Sequence, residues 1–318
     1  MSRDRENERA TGMGPGVEFD LIRRLVARWG STAVGLGDDA AVLDVPPGTK
    51  LVVSTDTSVD LVHFRSDWLT PGECAYRATV AALSDLAAMA AEPLGMLIAA
   101  TLQSSLAGDL DALADGIAEA ARAASCPIVG GDLSRGDRLS LTVTVLGTCT
   151  QPVRRSGAAA GQDIVVTGEL GGPAESVRAF LAGTQPAPAH RERFARPVPR
   201  LAEARWLAAA GATALIDISD GLVPEARHVA AASGVTLAID LGAVPVMQGA
   251  DVRTAVASGE EYELLATVPP GLDVDAFVRE FQIRLTRIGR VEAGEPTAAF
   301  LEGGARVDLP GGYDHFSP

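Results

Sequence analysis

The Gly/Ala-rich stretch RRSGAAAGQD at residues 154–163 most constrains what this chain can fold into. Strand and helix patterns run up to it and then start afresh beyond it. Small residues with no hydrophobic period of their own mark a linker rather than an element. Before it, EFDLIRRLVARW (18–29) spaces Phe19, Ile22, Leu25, Val26 and Trp29 as one helix face. LVVST (51–55) reads as a buried strand ending at Asp56, and GECAYRATVAALSDLAAMAAE (72–92) as a long alanine-rich helix stopped near Pro93. A strand (95–103), an amphipathic helix (106–125), a short strand CPIVG running into Gly130-Gly131-Asp132 and an alternating strand (139–150) complete this half.

After the linker the pattern predicts strand IVVTGE, a helix near 173–182 and a Pro-rich crossing (183–200). Helix 201–210, strand TALIDIS, helix 221–233, strands VTLAID and EYELLATV and a closing helix–strand pair follow. Two α+β domains are the simplest reading: a flexible tail at 1–16, a first domain at 17–150 and a second at 151–318.

Composition narrows the function. A formal charge of −14 argues against a nucleic-acid binder, which presents a basic face, and is compatible with binding cations. No apolar run approaches the roughly 20 residues a bilayer span needs, and the polar N-terminus has no signal-like apolar stretch, so a cytoplasmic location is expected. Cys74, Cys126 and Cys149 are too scattered for a zinc site and read as reduced core thiols. Lys50 is the only lysine and lies in no GxxxxGK[ST] pattern. A nucleotide would therefore be held by arginines, backbone N–H groups and metal ions.

Six acids sit at the ends of predicted elements beside small residues: Asp39, Asp56, Asp85, Asp132, Asp217 and Asp220. Hard cations such as Mg²⁺ want such oxygen ligands. Gathered without a cation, each carboxylate pair at ~4 Å would cost about 4 kcal/mol at an effective dielectric near 20. Each acid has a plainer reading too. Asp220 suits a helix N-cap, Asp132 a turn and Asp109 ordinary helix-start punctuation. Asp85 lies among Ala81, Leu83, Leu86 and Met89, where a buried carboxylate is costly unless partnered. His63 reads as a structural histidine or a ligand contact, Arg154-Arg155 as a solvated pair or a phosphate fork, and Glu260-Glu261 as solvated acids at a strand mouth or a site.

In order along the chain stand GDDAAVL, STDTSVD-LVHF, LSDLAAMAAEP, GGDLSRG, RSGA-x-x-GQD-x-x-VTG-x-LGG, RPVPR, IDISDGL, GEEYELL and GYDHF. This series resembles the thiamine-monophosphate kinases of the PurM-like ATP-binding superfamily. The resemblance implies a two-domain PurM-like α+β fold, its N-terminal domain forming a barrel shared across a homodimer and its C-terminal domain α/β sandwich-like. It implies ATP-dependent phosphorylation of thiamine monophosphate to thiamine diphosphate with several Mg²⁺ ions, and leaves a K⁺ requirement open. Carried over, Asp39, Ser54, Thr55, Asp56, Asp85, Asp132, Asp217 and Asp220 match metal positions. Gly131, Asp132, Arg155 and Ser219 match nucleotide contacts, and His63, Glu260 and Tyr313 match substrate contacts. Of the two acids in GDDAA, Asp39 is the implied ligand, and Asp38 is left to hydrogen-bond the Gly35–Gly37 turn or to support the shell from behind. No side chain is nominated as a nucleophile. Three departures stand out: Ser258 replaces a glycine and Glu261 an aspartate of the usual pattern, and Leu133 a threonine. The rival readings are another PurM-like ATP-using enzyme, such as an aminoimidazole ribonucleotide synthetase-like ligase, and a non-catalytic nucleotide- or metal-binding scaffold.

Overall fold

The computed structural model describes residues 17–37, 39–103 and 109–311. The 1–16 tail, Asp38, the first residues of the helix read at 106–125, and Tyr313 lie outside the described residues. Those described divide into two compact units, one running up to Leu86 and taking in Glu92–Thr150, the other comprising Ala87–Ala91 and the chain from Gln151 onward.

The first unit is built on four strands, β1 (Lys50–Val59), β2 (Glu92–Leu102), β3 (Ile128–Arg135) and β4 (Ser140–Cys149), in the order β1-β4-β2-β3. β2 and β3 are parallel and joined through helix Leu110–Ala123, while the other pairs are antiparallel. β1 is not the buried strand its composition predicts. It alternates, with Leu51 (48%) and Val53 (56%) exposed, because only its other face meets the core. Helix Pro71–Ala88 stops before Pro93: Ala90 turns left-handed at φ 53°, and Pro93 sits inside β2. The β2–β4 register shifts between Pro93 and Gly95, which is where a strand tolerates a missing N–H. β3 runs on through Gly130-Gly131-Asp132, so Asp132 is a strand residue and not a turn residue.

The second unit is one seven-stranded sheet. Its strands are β5 (Asp163–Thr167), β6 (Ala214–Asp217), β7 (Thr236–Asp240), β8 (Leu264–Val268), β9 (Leu285–Glu292), β10 (Thr297–Glu302) and β11 (Ala305–Val307), in the order β11-β10-β7-β9-β5-β8-β6. β5 and β8 are buried at every residue, so both faces of the sheet are covered there. Ala226 and Val229 of helix Leu222–Ser233 pack with Ile164, Val166 and Leu265. Helices Leu201–Ala209 and Val274–Phe281 meet edge-to-face through Trp206 and Phe277 at 5.3 Å. Three expectations change here. The Pro-rich crossing contains helix Pro188–Ala195, hidden from a composition reading because its proline occupies the first turn, where no N–H is needed. The strand read from Glu261 starts only at Leu264, and the closing pair is one helix followed by three strands.

Candidate active site

In the first unit the acids are sorted by strand alternation. Ser54 and Asp56 lie on the side of β1 that faces helix Pro71–Ala88, and the Ser54 hydroxyl donates to Asp85 Oδ2 at 2.5 Å. Asp85 is half-buried between the fully buried Ser84 and Leu86. The carboxylate that looked costly in an apolar helix thus has a hydroxyl donor from a strand 31 residues away. Thr55 points the other way, its hydroxyl 3.0 Å from that of Thr144, and Thr57 pairs likewise with Thr142 at 2.9 Å.

Sheet register fixes Asp132. The row Thr57–Thr142–Ala99–Asp132 crosses all four strands, so Asp132 stands on the same face as Thr55 and Thr57. At three strand spacings it lies roughly 14 Å from β1. It is exposed and accepts the Ser134 hydroxyl at 3.0 Å. Beside it, a Cβ on Gly131 would come within 2.2 Å of the Ile98 carbonyl oxygen, so only glycine fits. Asp39 is exposed in the loop leading away from the Ala33–Ile128 bridge. Ser54, Asp56 and Asp85 therefore share one face, and Thr55 and Asp132 the other.

His63 follows β1 in a loop closed by Asp60, whose carboxylate accepts the Ser66 N–H at 3.0 Å. Its Nδ1 accepts the Val59 N–H at 3.1 Å. A neutral His63 therefore carries its proton on Nε2.

Among the described residues, no three His, Cys, Asp or Glu side chains gather closely enough to hold a metal ion by themselves. Mg²⁺ does not require that. It keeps several waters and is held by one or two carboxylates together with substrate phosphates. The all-oxygen set of Ser54, Asp56 and Asp85 fits such an ion.

In the second unit, Asp217 is the buried last residue of β6, and Ser219 and Asp220 follow it half-exposed. Gly221 occupies the N-cap of helix Leu222–Ser233, so Asp220 is not the cap its sequence context suggests. Glu225, which sequence reading missed, reaches back from that helix. Its Oε1 accepts the Asp220 N–H at 2.9 Å and the Ser219 hydroxyl at 3.2 Å. Burial pushes the Glu225 carboxyl above its ordinary range, and the N–H it accepts from Asp220 only partly offsets the rise. A glutamate in the first helical turn after a Ser-Asp-Gly stretch was the available signal. Alongside runs the 258–262 loop. The Glu260 N–H donates to the Ser219 carbonyl at 2.5 Å and that of Tyr262 to Ile218 at 2.9 Å. Glu260 is thus placed against Ser219. Arg155 is not. Arg154 bridges to Ala214, at the opposite end of β6, roughly 10 Å of strand away from Asp217.

Behind this loop lies a buried ion network that the sequence did not announce. Glu263 accepts from Arg200 Nε at 2.8 Å, from Arg200 Nη2 at 2.6 Å, from Arg193 Nη2 at 2.6 Å and from the Thr167 hydroxyl. Burial works to raise the Glu263 carboxyl, yet the two guanidiniums hold it below its ordinary range. RPVPR thus earns its place through Arg200, a structural anchor. The two departures in SGEEYEL face one turn: Ser258 Oγ accepts the Ala174 N–H at 3.2 Å and Glu261 Oε1 the Gly171 N–H at 2.6 Å.

Residues 37–149 match the family described as AIR synthase related protein, N-terminal domain, and residues 159–302 match its C-terminal domain. The chain is 35% identical to the thiamine-monophosphate kinase of Salmonella typhimurium, over 94% of this chain and 98% of that protein. Among solved structures it resembles thiamine-monophosphate kinase from Stenotrophomonas maltophilia K279a, with a TM-score of 0.81 and 33% identity over 89% of this chain and 96% of that one. AaThiL complexed with AMPPCP and TMP superimposes with a TM-score of 0.75 and 28% identity, covering 94% of this chain and 96% of that one.

Proposed function

Because this chain belongs to the thiamine-monophosphate kinase family, we propose that it transfers the γ-phosphoryl group of ATP to thiamine monophosphate, giving thiamine diphosphate and ADP. The observation that carries the reading is near-full-length similarity to kinases of that name, together with a relative that is solved with AMPPCP and TMP.

Transfer is in line, from the γ-phosphorus to an oxygen of the acceptor phosphate. That oxygen is already ionised near neutral pH, so no side chain need act as a strong base, and none is assigned as nucleophile. Mg²⁺, when bound, supplies charge neutralisation on the transferring oxygens. Asp56 and Asp85 would hold it, with Ser54 orienting the Asp85 carboxylate. Asp39, Thr55 and Asp132 in the first unit, and Asp217 and Asp220 in the second, are further proposed metal ligands. Gly131, Asp132, Arg155 and Ser219 are proposed nucleotide contacts. Glu225 fixes the Ser219–Asp220 backbone in place. His63 and Glu260 are proposed contacts of the acceptor substrate, and Tyr313 is proposed as a third.

Thr55 and Asp132 lie on the face that also exposes Leu51 and Val53 on the edge strand β1. A homodimer through this face would bury that apolar surface and explain why ligand-class residues point to it. L51K/V53K should then sediment as a monomer, where the parent chain sediments as a dimer. A parent chain that sediments as a monomer removes this part of the reading. No helix among the described residues is long and apolar enough to cross a membrane, in keeping with the cytoplasmic location we propose.

The deciding experiment measures ADP release from ATP and Mg²⁺. Release on adding thiamine monophosphate supports the assignment. Release only with aminoimidazole-pathway substrates, or ATP binding with no turnover, overturns it.

A further inference from the structure

The 258–262 loop holds two non-glycine residues in the left-handed region, Glu260 at φ 61° and Tyr262 at φ 52°. Such residues persist only where their surroundings over-determine them. Several contacts do so here. The Glu260 N–H is held by Ser219, and a Cβ on Gly259 would lie 2.9 Å from the Ser219 carbonyl oxygen, so the loop lies tight against the 217–220 segment. Between the two left-handed residues, the Glu261 side chain turns inward and is fully buried. Its Oε1 takes the Gly171 N–H at 2.6 Å, at the N-cap of helix Gly172–Leu181, while Ser258 Oγ takes the Ala174 N–H inside that helix. Arg193 Nη2 donates to the Glu261 carbonyl at 2.5 Å. Glu261 Oε2 has no hydrogen-bond partner and lies 3.8 Å from Arg193 Nε. A buried carboxylate with one oxygen unserved is retained at a cost, so the bond its other oxygen makes has a use.

We propose that Glu261, with Ser258, is a positioning residue for Glu260: the pair latches the substrate loop to the N-terminus of helix Gly172–Leu181 and thereby sets how tightly thiamine monophosphate is held. The inference rests on the reading of Glu260 as a substrate contact. Glu261 and Ser258 are both buried away from solvent. The latch acts through the loop backbone, so its loss shows in the KM for thiamine monophosphate and not in that for ATP. It needs an acceptor at Oε1 and not a charge, so glutamine replaces it.

The test is steady-state kinetics on the full chain, with each substrate varied in turn, for E260A, E261A, E261Q and S258A. E260A and E261A should each raise the KM for thiamine monophosphate about tenfold, the scale of one lost positioned hydrogen bond, with the KM for ATP within about twofold. S258A should raise it about threefold, and E261Q should stay within about twofold of the parent. If E261A does not fold, E261M, which keeps the bulk and lacks the acceptor for the Gly171 N–H, must show the same split. An unchanged KM in E260A overturns the substrate-contact reading itself. A rise in E260A with none in E261A overturns the latch alone. Equal rises for both substrates, or E261Q behaving as E261A, also overturn the latch.

Discussion

The Asp85 site of the first unit and the Glu263 site of the second both put a carboxylate among apolar residues, and they are served in opposite ways. Glu263 is sealed and receives two guanidiniums and a hydroxyl. Asp85 is half-open, with the Ser54 hydroxyl directed at one of its oxygens. A hydroxyl orients a carboxylate without cancelling its charge. A pair of arginines cancels it and leaves the group fit only to hold structure. The first arrangement suits an acid meant for an incoming cation, the second an acid meant for architecture.

The largest effect that would break this contrast falls on the sealed site. R200M removes a buried partner of Glu263 and should cost about 3–5 kcal/mol in urea denaturation. A loss under 1 kcal/mol would mean that the network is not structural. Next comes Glu261, whose environment includes Arg193, Glu263, Ser258 and the Gly171 N–H. Burial pushes its carboxyl from 4.5 to about 7. A carboxyl raised on folding stabilises the fold in acid and loses that contribution as pH rises through about 7. E261Q has no such loss, so its stability relative to the parent should grow by about 3 kcal/mol between pH 5 and pH 8. Parallel profiles would show that Glu261 is not proton-linked to folding. Glu263 has the opposite sign: its depressed carboxyl stabilises at neutral pH and gives that up only in acid. The third test is D85N, which should lower kcat about 100-fold, some 2.7 kcal/mol of transition-state stabilisation, with the melting temperature unchanged or higher. Near-parent turnover would erase the distinction between the two acids.

Sequence pattern went far with the elements and less far with the site. Helix Pro188–Ala195 was missed because its proline marks a first turn as readily as a loop. The reading of Asp220 as an N-cap failed by one residue, since Gly221 takes that position. Glu225 had a legible signal in its spacing, but Arg193 and Arg200 had none, lying 70 and 63 residues from their partner Glu263.

What the sequence alone determined was the division into two α+β units, the run of motifs that marks the family, and the list of candidate residues for metal and phosphate chemistry. These follow from local periodicity and from which atoms can ligate a hard cation. What only the tertiary structure decided was which of those residues share a face. Strand alternation separates Thr55 from Ser54 and Asp56, but the face of Asp132 relative to theirs depends on the register of three strand pairings. Partnering was decided there too. What a carboxylate is fit for depends on the groups that fold against it, and those are contacts between distant segments on which neighbouring residues are silent.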